Sequence, residues 1–127
     1  MTVRDLLQTK QRTIITCTPS TGILTAMELL LNNRISCLPV LNENDELAGI
    51  ISDKDIFRCV HEDCDGFTGL TVGDIMTTNV IVGLENDDIG YIAGVMTNNR
   101  IRHVPIVEDT RLVGLLSTGD IVKTQMT

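Results

Sequence analysis

Two stretches of the chain end on the same pattern of residues that could do chemistry, Gly49-Ile50-Ile51-Ser52-Asp53-Lys54-Asp55 and Gly114-Leu115-Leu116-Ser117-Thr118-Gly119-Asp120. Each has an apolar run that reads as a strand and then a Ser-x-x-Asp that reads as the start of a helix. Backbone N–H groups and the positive end of the helix dipole converge at such a point, which suits an anion such as phosphate. A carboxylate three residues after the serine can accept hydrogen bonds from two neighbouring hydroxyls, as ribose offers, and the serine hydroxyl can donate toward phosphate. The same spacing is also a capping box, which satisfies orphan N–H groups without any bound molecule. The two readings are compatible, because a capped helix start can still present its Asp.

Arg102-His103 lies directly before a second apolar run containing Pro105, and the arginine offers a planar fork of donors with permanent charge. The matching place in the first half holds Ser36-Cys37, which removes both basic groups. A solvated strand end with a surface salt bridge is the plain alternative for Arg102, and a partly buried polar residue is the one for His103. Cys59-x-His61-x-x-Cys64 has no standard zinc spacing and no second ligand pair, so no metal site is expected there. Asp53, Glu62, Asp63 and Asp65 lack the ligand order of a calcium loop and read as a solvated acidic patch. No nucleophile stands with a base and an orienting group, so no catalytic residue and no enzymatic activity is expected.

The elements that position these residues are written twice. Ile23 falls on Ile89, Asn32-Asn33-Arg34-Ile35 on Asn98-Asn99-Arg100-Ile101, and Pro39 on Pro105; after one deletion in a polar turn, Gly49, Ser52, Asp55 and Ile56 fall on Gly114, Ser117, Asp120 and Ile121. Val3-Arg4-Asp5-Leu6-Leu7 similarly matches Val72-Gly73-Asp74-Ile75-Met76. Apolar spacing predicts amphipathic helices over Ser20 to Asn33 and Asp87 to Asn99, capped by Ser20 and by Asp87 or Asp88. Hairpins are predicted from Cys37–Leu41 with Leu47–Ile51 and from Val104–Val107 with Leu112–Leu116, followed by helices from Asp53 to about His61 and from Thr118 to about Gln125. Thr13–Cys17 and Asn79–Val82 supply a first short strand in each half. The result is an α/β (α+β) chain of two βαββα-type repeats, at 1–64 and 72–127, joined by a linker at 65–71 that includes Asp65-Gly66-Phe67-Thr68-Gly69.

A length of 127 residues suits one domain with a shared core, and 43% apolar with only 2% aromatic residues requires that core to be built from Ile, Leu, Val, Met and Ala. A formal charge of −7 repels phosphate backbones and anionic lipid, so neither nucleic acid nor a membrane surface is an expected partner. No apolar run reaches bilayer length, and Met1-Thr2-Val3-Arg4-Asp5 is no hydrophobic leader, so a cytoplasmic protein is expected. Cys17, Cys37, Cys59 and Cys64 would then be thiols, the first two as small core residues.

Over nearly its whole length the sequence resembles the tandem cystathionine-β-synthase (CBS) domain pair, or Bateman module. The resemblance is carried by Val72-Gly73-Asp74-Ile75-Met76-Thr77, by Arg100-Ile101-Arg102-His103-Val104-Pro105-Ile106-Val107 and by the duplicated Gly-x-x-Ser-x-x-Asp. It implies a pseudo-two-fold pair of repeats with small sheets flanked by helices. It also implies a freestanding regulatory module that binds AMP, ADP, ATP or S-adenosylmethionine in interdomain clefts, as in energy sensing, and that requires no cofactor. Asp120 and Asp55 would take the ribose, with Ser117, Thr118 and Ser52 beside them, and Arg102 and His103 would meet phosphates. Thr13 to Ile15 would line the adenine near Asp120, and Val80 and Val82, within Asn79 to Val82, would do so near Asp55, with Pro39 and Pro105 adjoining. The cleft at Asp120 should prefer the more phosphorylated ligand. Pairing into a homodimer through helix faces around Met27 and Met96, and signalling to a protein effector, complete the expectation; a ligand-independent interaction module is the alternative.

Overall fold

A computed structural model describes residues 1–10 and 13–125. The chain forms two compact units, one of Ile15–Val80 and one of Met1–Ile14 with Ile81–Thr127. These units differ from the sequence repeats, because each repeat's leading segment packs in the other unit.

In the Ile15–Val80 unit, helix α2 (Ile23–Asn33) precedes a hairpin of β1 (Cys37–Leu41) and β2 (Leu47–Ser52), then α3 (Asp53–Glu62), a 3-10 turn at Phe67–Gly69 and the short α4 (Val72–Ile75). The strands pair antiparallel, Cys37 opposite Ser52 and Pro39 opposite Ile50, with a register shift at Val40/Leu41. Ile23, Ala26, Leu38, Val40, Ile51 and Val72 close the core. The other unit has α1 (Val3–Thr9), α5 (Ile89–Asn99), β3 (His103–Glu108), β4 (Arg111–Ser117) and α6 (Thr118–Thr124). Its hairpin pairs His103 with Ser117 and Pro105 with Leu115. Val3 and Leu6 of α1 are buried with Ile92, Met96, Ile106 and Leu116.

Hydrogen bonds at the entry of each long helix fix this exchange. The Ile23 N–H donates to the Leu70 carbonyl at 3.0 Å and Val72 N–H to Thr21 at 2.8 Å, while the Ile89 N–H donates to Met1 at 3.1 Å and Val3 N–H to Asp87 at 2.9 Å. The residue just before the N-cap of each short leading helix, Leu70 or Met1, thus accepts from the first N–H of the long helix. Consequently Gly22, not Ser20, is the N-cap of α2 and no side chain caps it; Ser20 instead lies 3.1 Å from the Thr18 hydroxyl. Asp88 does cap α5, accepting from Gly90 N–H at 2.9 Å, and Asp87 accepts from Leu84 N–H at 2.8 Å.

The four hairpin strands and the four longer helices form where the sequence places them, within a residue or two except for the start of α2. The short strands expected at Thr13–Cys17 and Asn79–Val82 do not form. Each is reduced to a single parallel bridge, Cys17 with Val40 and Gly83 with Ile106. Cys17 N–H donates to Pro39 at 3.1 Å and Gly83 N–H to Pro105 at 2.9 Å. The next ladder bond toward the N-terminus would need an N–H on that proline, which has none, so the pairing stops after one residue.

Met96 is buried and Met27 packs half-buried against its unit's core, so neither forms an exposed helix face. The exposed large apolar side chains on the helices are Leu24, Leu31, Phe57, Tyr91 and Val122. Among the described residues, no helix is long and apolar enough to cross a membrane.

Candidate functional site

Each unit contains one copy of the Ser-x-x-Asp, at the junction where the hairpin's second strand becomes a helix. Ser52 ends β2 and is the N-cap of α3; its hydroxyl accepts from Asp55 N–H at 3.2 Å, and Asp55 Oδ2 accepts from Ser52 N–H at 2.9 Å. Ser117 and Asp120 do the same at the start of α6, at 3.1 and 2.8 Å. The capping box therefore exists in both places, and each replaces orphan donors worth roughly 1 kcal/mol. It uses one oxygen of each carboxylate and leaves the other, Oδ1, outside the box.

A second bond ties each helix start to the beginning of the hairpin's first strand. Thr118 N–H donates to the Arg102 carbonyl at 2.9 Å, as Asp53 N–H does to Ser36 at 2.8 Å. The backbone frame is thus the same in the two units, and the side chain it holds beside the helix start is Arg102 in one and Ser36 in the other. His103 opens β3, half-buried and opposite Ser117, where the other hairpin has the buried Cys37 opposite Ser52. Pro39 and Pro105 are fully buried in the strands.

The largest difference between the copies comes from Lys10, just past α1. Its Nζ donates to Asp120 Oδ2 at 2.8 Å and to the Leu115 carbonyl at 2.6 Å. The corresponding Ile50 carbonyl instead accepts from Thr77 N–H at 2.9 Å, and Ile50 N–H returns the bond to Thr77. Among the described residues, Asp55 has for a cation only the exposed Arg58, 4.0 Å from its Oδ1, a pair that contributes little. Burial would push the Asp120 carboxyl up, but the Lys10 ammonium with the Ser117 amide and hydroxyl outweighs it and holds the group below its ordinary 3.8.

Sequence reasoning missed Lys10. The repeat itself carried the signal, since the match of Val3–Leu7 onto Val72–Met76 sets Lys10 against Asn79, a charge present in one copy alone.

Of the residues expected to line the sites, Thr13 and Val82 are exposed and belong to the unit that contains Asp120, whereas the half-buried Ile15 and Val80 belong to the unit that contains Asp55. Each expected lining segment is therefore split between the two units. Arg102 and Thr118 also line a cavity of about 430 Å³ between α5 and α6, floored by Ala93, Met96 and Ile121; Asp120 is not part of its wall. Among the described residues, no three His, Cys, Asp or Glu side chains are grouped to hold a metal; Cys59 is buried while His61 and Cys64 are exposed.

This fold is matched elsewhere. The CBS domain family model matches residues 2–62 and again 72–126, and the chain belongs to the CBS domain family as a tandem pair. A CBS-domain containing protein of Agrobacterium tumefaciens is similar at 31% identity and a TM-score of 0.92, over 98% of this chain and 99% of that one. The CBS domain pair of MJ0100, solved with 5′-methylthioadenosine and S-adenosyl-L-methionine, is similar at 29% identity and 0.87, over 99% and 96%. CBSX2, solved in complex with AMP, is similar at 29% and 0.84, over 98% and 96%. The chain spans 63%, 41% and 22% of the lengths of three curated relatives that it matches.

Proposed function

We propose that this chain is a regulatory binding module rather than an enzyme, which takes an adenosine-containing ligand at its Ser-x-x-Asp helix starts and passes occupancy on to a protein effector. The observation that carries this reading is the duplicated capping box, which fixes Asp55 and Asp120 in place while leaving carboxylate oxygen free to accept ribose hydroxyls. The complexes of similar proteins with AMP, with S-adenosylmethionine and with 5′-methylthioadenosine support the ligand class. Arg102 and His103 meet phosphate at the Asp120 site, while Ser52 and Ser117 steady the two helix starts. Thr13 and Val80, each in the unit of the Asp it serves, flank the base. AMP, ADP and ATP as ligands would make the module an energy sensor in the cytoplasm. Pairing into a homodimer would use apolar side chains exposed on the helices, such as Leu24 and Leu31 on α2, since large apolar side chains at a surface favour being covered.

Equilibrium calorimetry of ligand-stripped protein against AMP, ADP, ATP, S-adenosylmethionine and NAD tests the reading. Binding of at least one, weakened by Asp120→Ala or Asp55→Ala, is expected. Wild-type protein that binds none of the five would sink it.

A further inference from the structure

The Asp120 carboxylate is already engaged beyond its capping box. A carboxylate oxygen offers two acceptor positions, and both on Asp120 Oδ2 are taken, by Ser117 N–H at 2.8 Å and by Lys10 Nζ at 2.8 Å. Among the described residues, Asp55 Oδ2 carries only the Ser52 N–H. The lysine is no loose surface contact: the Lys10 and Asp120 side chains are 24% and 14% exposed, and Nζ is bonded in addition to the Leu115 carbonyl. Two neighbouring hydroxyls grip a carboxylate best with one on each oxygen. At Asp55 both oxygens can take part, whereas at Asp120 a diol must dislodge the ammonium from Oδ2.

A displaced ammonium needs a new partner, because a half-buried charge left unpaired is costly. A ligand that carries phosphate supplies one. A neutral nucleoside does not, and S-adenosylmethionine, a net cation, sets its sulfonium beside the ribose while its carboxylate sits at the far end of the methionyl chain next to its own ammonium. The lysine stem has four carbons and lets the head relocate while its backbone stays with α1. We propose that Lys10 acts as a charge filter on the Asp120 site, yielding the carboxylate only to ligands that bring their own anion, so that phosphorylated nucleosides are taken and neutral or cationic ones refused. This rests on the reading above that Asp120 takes ribose. The Asp55 site lacks the filter and accepts both kinds.

The test isolates the Asp120 site with Asp55→Ala and titrates AMP, adenosine and S-adenosylmethionine into that protein and into the same protein with Lys10→Gln, Lys10→Met or Lys10→Arg. AMP should bind at least about tenfold more tightly than adenosine when Lys10 is present, and Gln or Met should raise adenosine affinity by about tenfold and collapse the preference, while Arg keeps it. Gln retains a donor for Leu115, so it guards against a folding defect in the Met variant, and circular dichroism melts confirm both. Arg102→Ala should weaken AMP without tightening adenosine, which separates a filter from a simple phosphate contact. An AMP-to-adenosine ratio that is unchanged in the Gln variant overturns the proposal while leaving the ribose reading intact. Failure of the Asp55→Ala protein to bind any of the three overturns both.

Discussion

In the Ile15–Val80 unit the exposed side of the hairpin at Ile50 is sealed by main chain, with Thr77 giving and receiving one bond each; in the other unit the equivalent carbonyl, Leu115, is met by a lysine side chain that reaches on to the carboxylate. A backbone bridge is a fixed closure and changes only if the chain moves. A lysine contact can be exchanged for another at the cost of one ion pair. Duplicating the scaffold has thus produced one half with a rigid edge and an open carboxylate, and one half with a removable side chain and an engaged carboxylate.

The largest expected effects are on ligand binding. Asp120→Ala and Asp55→Ala each remove a charged acceptor of hydrogen bonds and should each cost about 2–3 kcal/mol, a loss of one to two orders of magnitude in affinity at the altered site. Calorimetry that shows equal, small effects from both would dissolve the comparison.

Glycine substitution should separate them in stability. A Cβ at Gly49 would sit 2.7 Å from the Thr77 backbone oxygen and 2.9 Å from Met76 Sδ, whereas one at Gly114 would meet only the methyl ends of Leu7 at 2.7 Å. The leucine can turn aside and the bridged backbone cannot. Gly49→Ala should therefore destabilise by about 2–3 kcal/mol and Gly114→Ala by about 1 kcal/mol in urea unfolding. The reverse order would mean that the Thr77 edge is the softer one.

Ser52→Ala and Ser117→Ala remove equivalent caps, and each should cost about 1 kcal/mol in the same assay. A clearly larger loss at Ser117 would show that the serine also keeps Asp120 aligned with Lys10. The smallest effect is acid sensitivity. Asp120 is depressed in the folded state, so the stability it contributes is fully present above the ordinary value of 3.8 and is lost as pH falls through its lower folded value. Lys10→Met should flatten this part of an acid titration of stability.

Much of this was readable from residue order. The hairpins and helices follow from apolar periodicity and polar turns, which are local, and the Ser-x-x-Asp boxes are local too. The Arg102-against-Ser36 asymmetry came directly from setting one repeat on the other. What escaped was settled by distant residues. Pro39 and Pro105 sit in apolar runs that read as strands, yet their missing N–H ends the parallel ladder beside them. Ser20 is a good capping residue by type, but Leu70 supplies the acceptor for the helix entry. Lys10 looks like an ordinary solvated residue until α1 is packed across β4, more than a hundred positions along the chain.

The exchanged leading segments also impose an order on how the protein comes into being. As the polypeptide leaves the ribosome, α1 emerges before every other element of the two units, but the strands and helix it covers emerge after all the others. The Ile15–Val80 unit has all its parts once its own residues are out and can close while α1 still waits, with Val3 and Leu6 uncovered. Only when β4 and α6 follow does α1 find its seat, and the Lys10 contact with Asp120 is among the last bonds this pair of repeats can make.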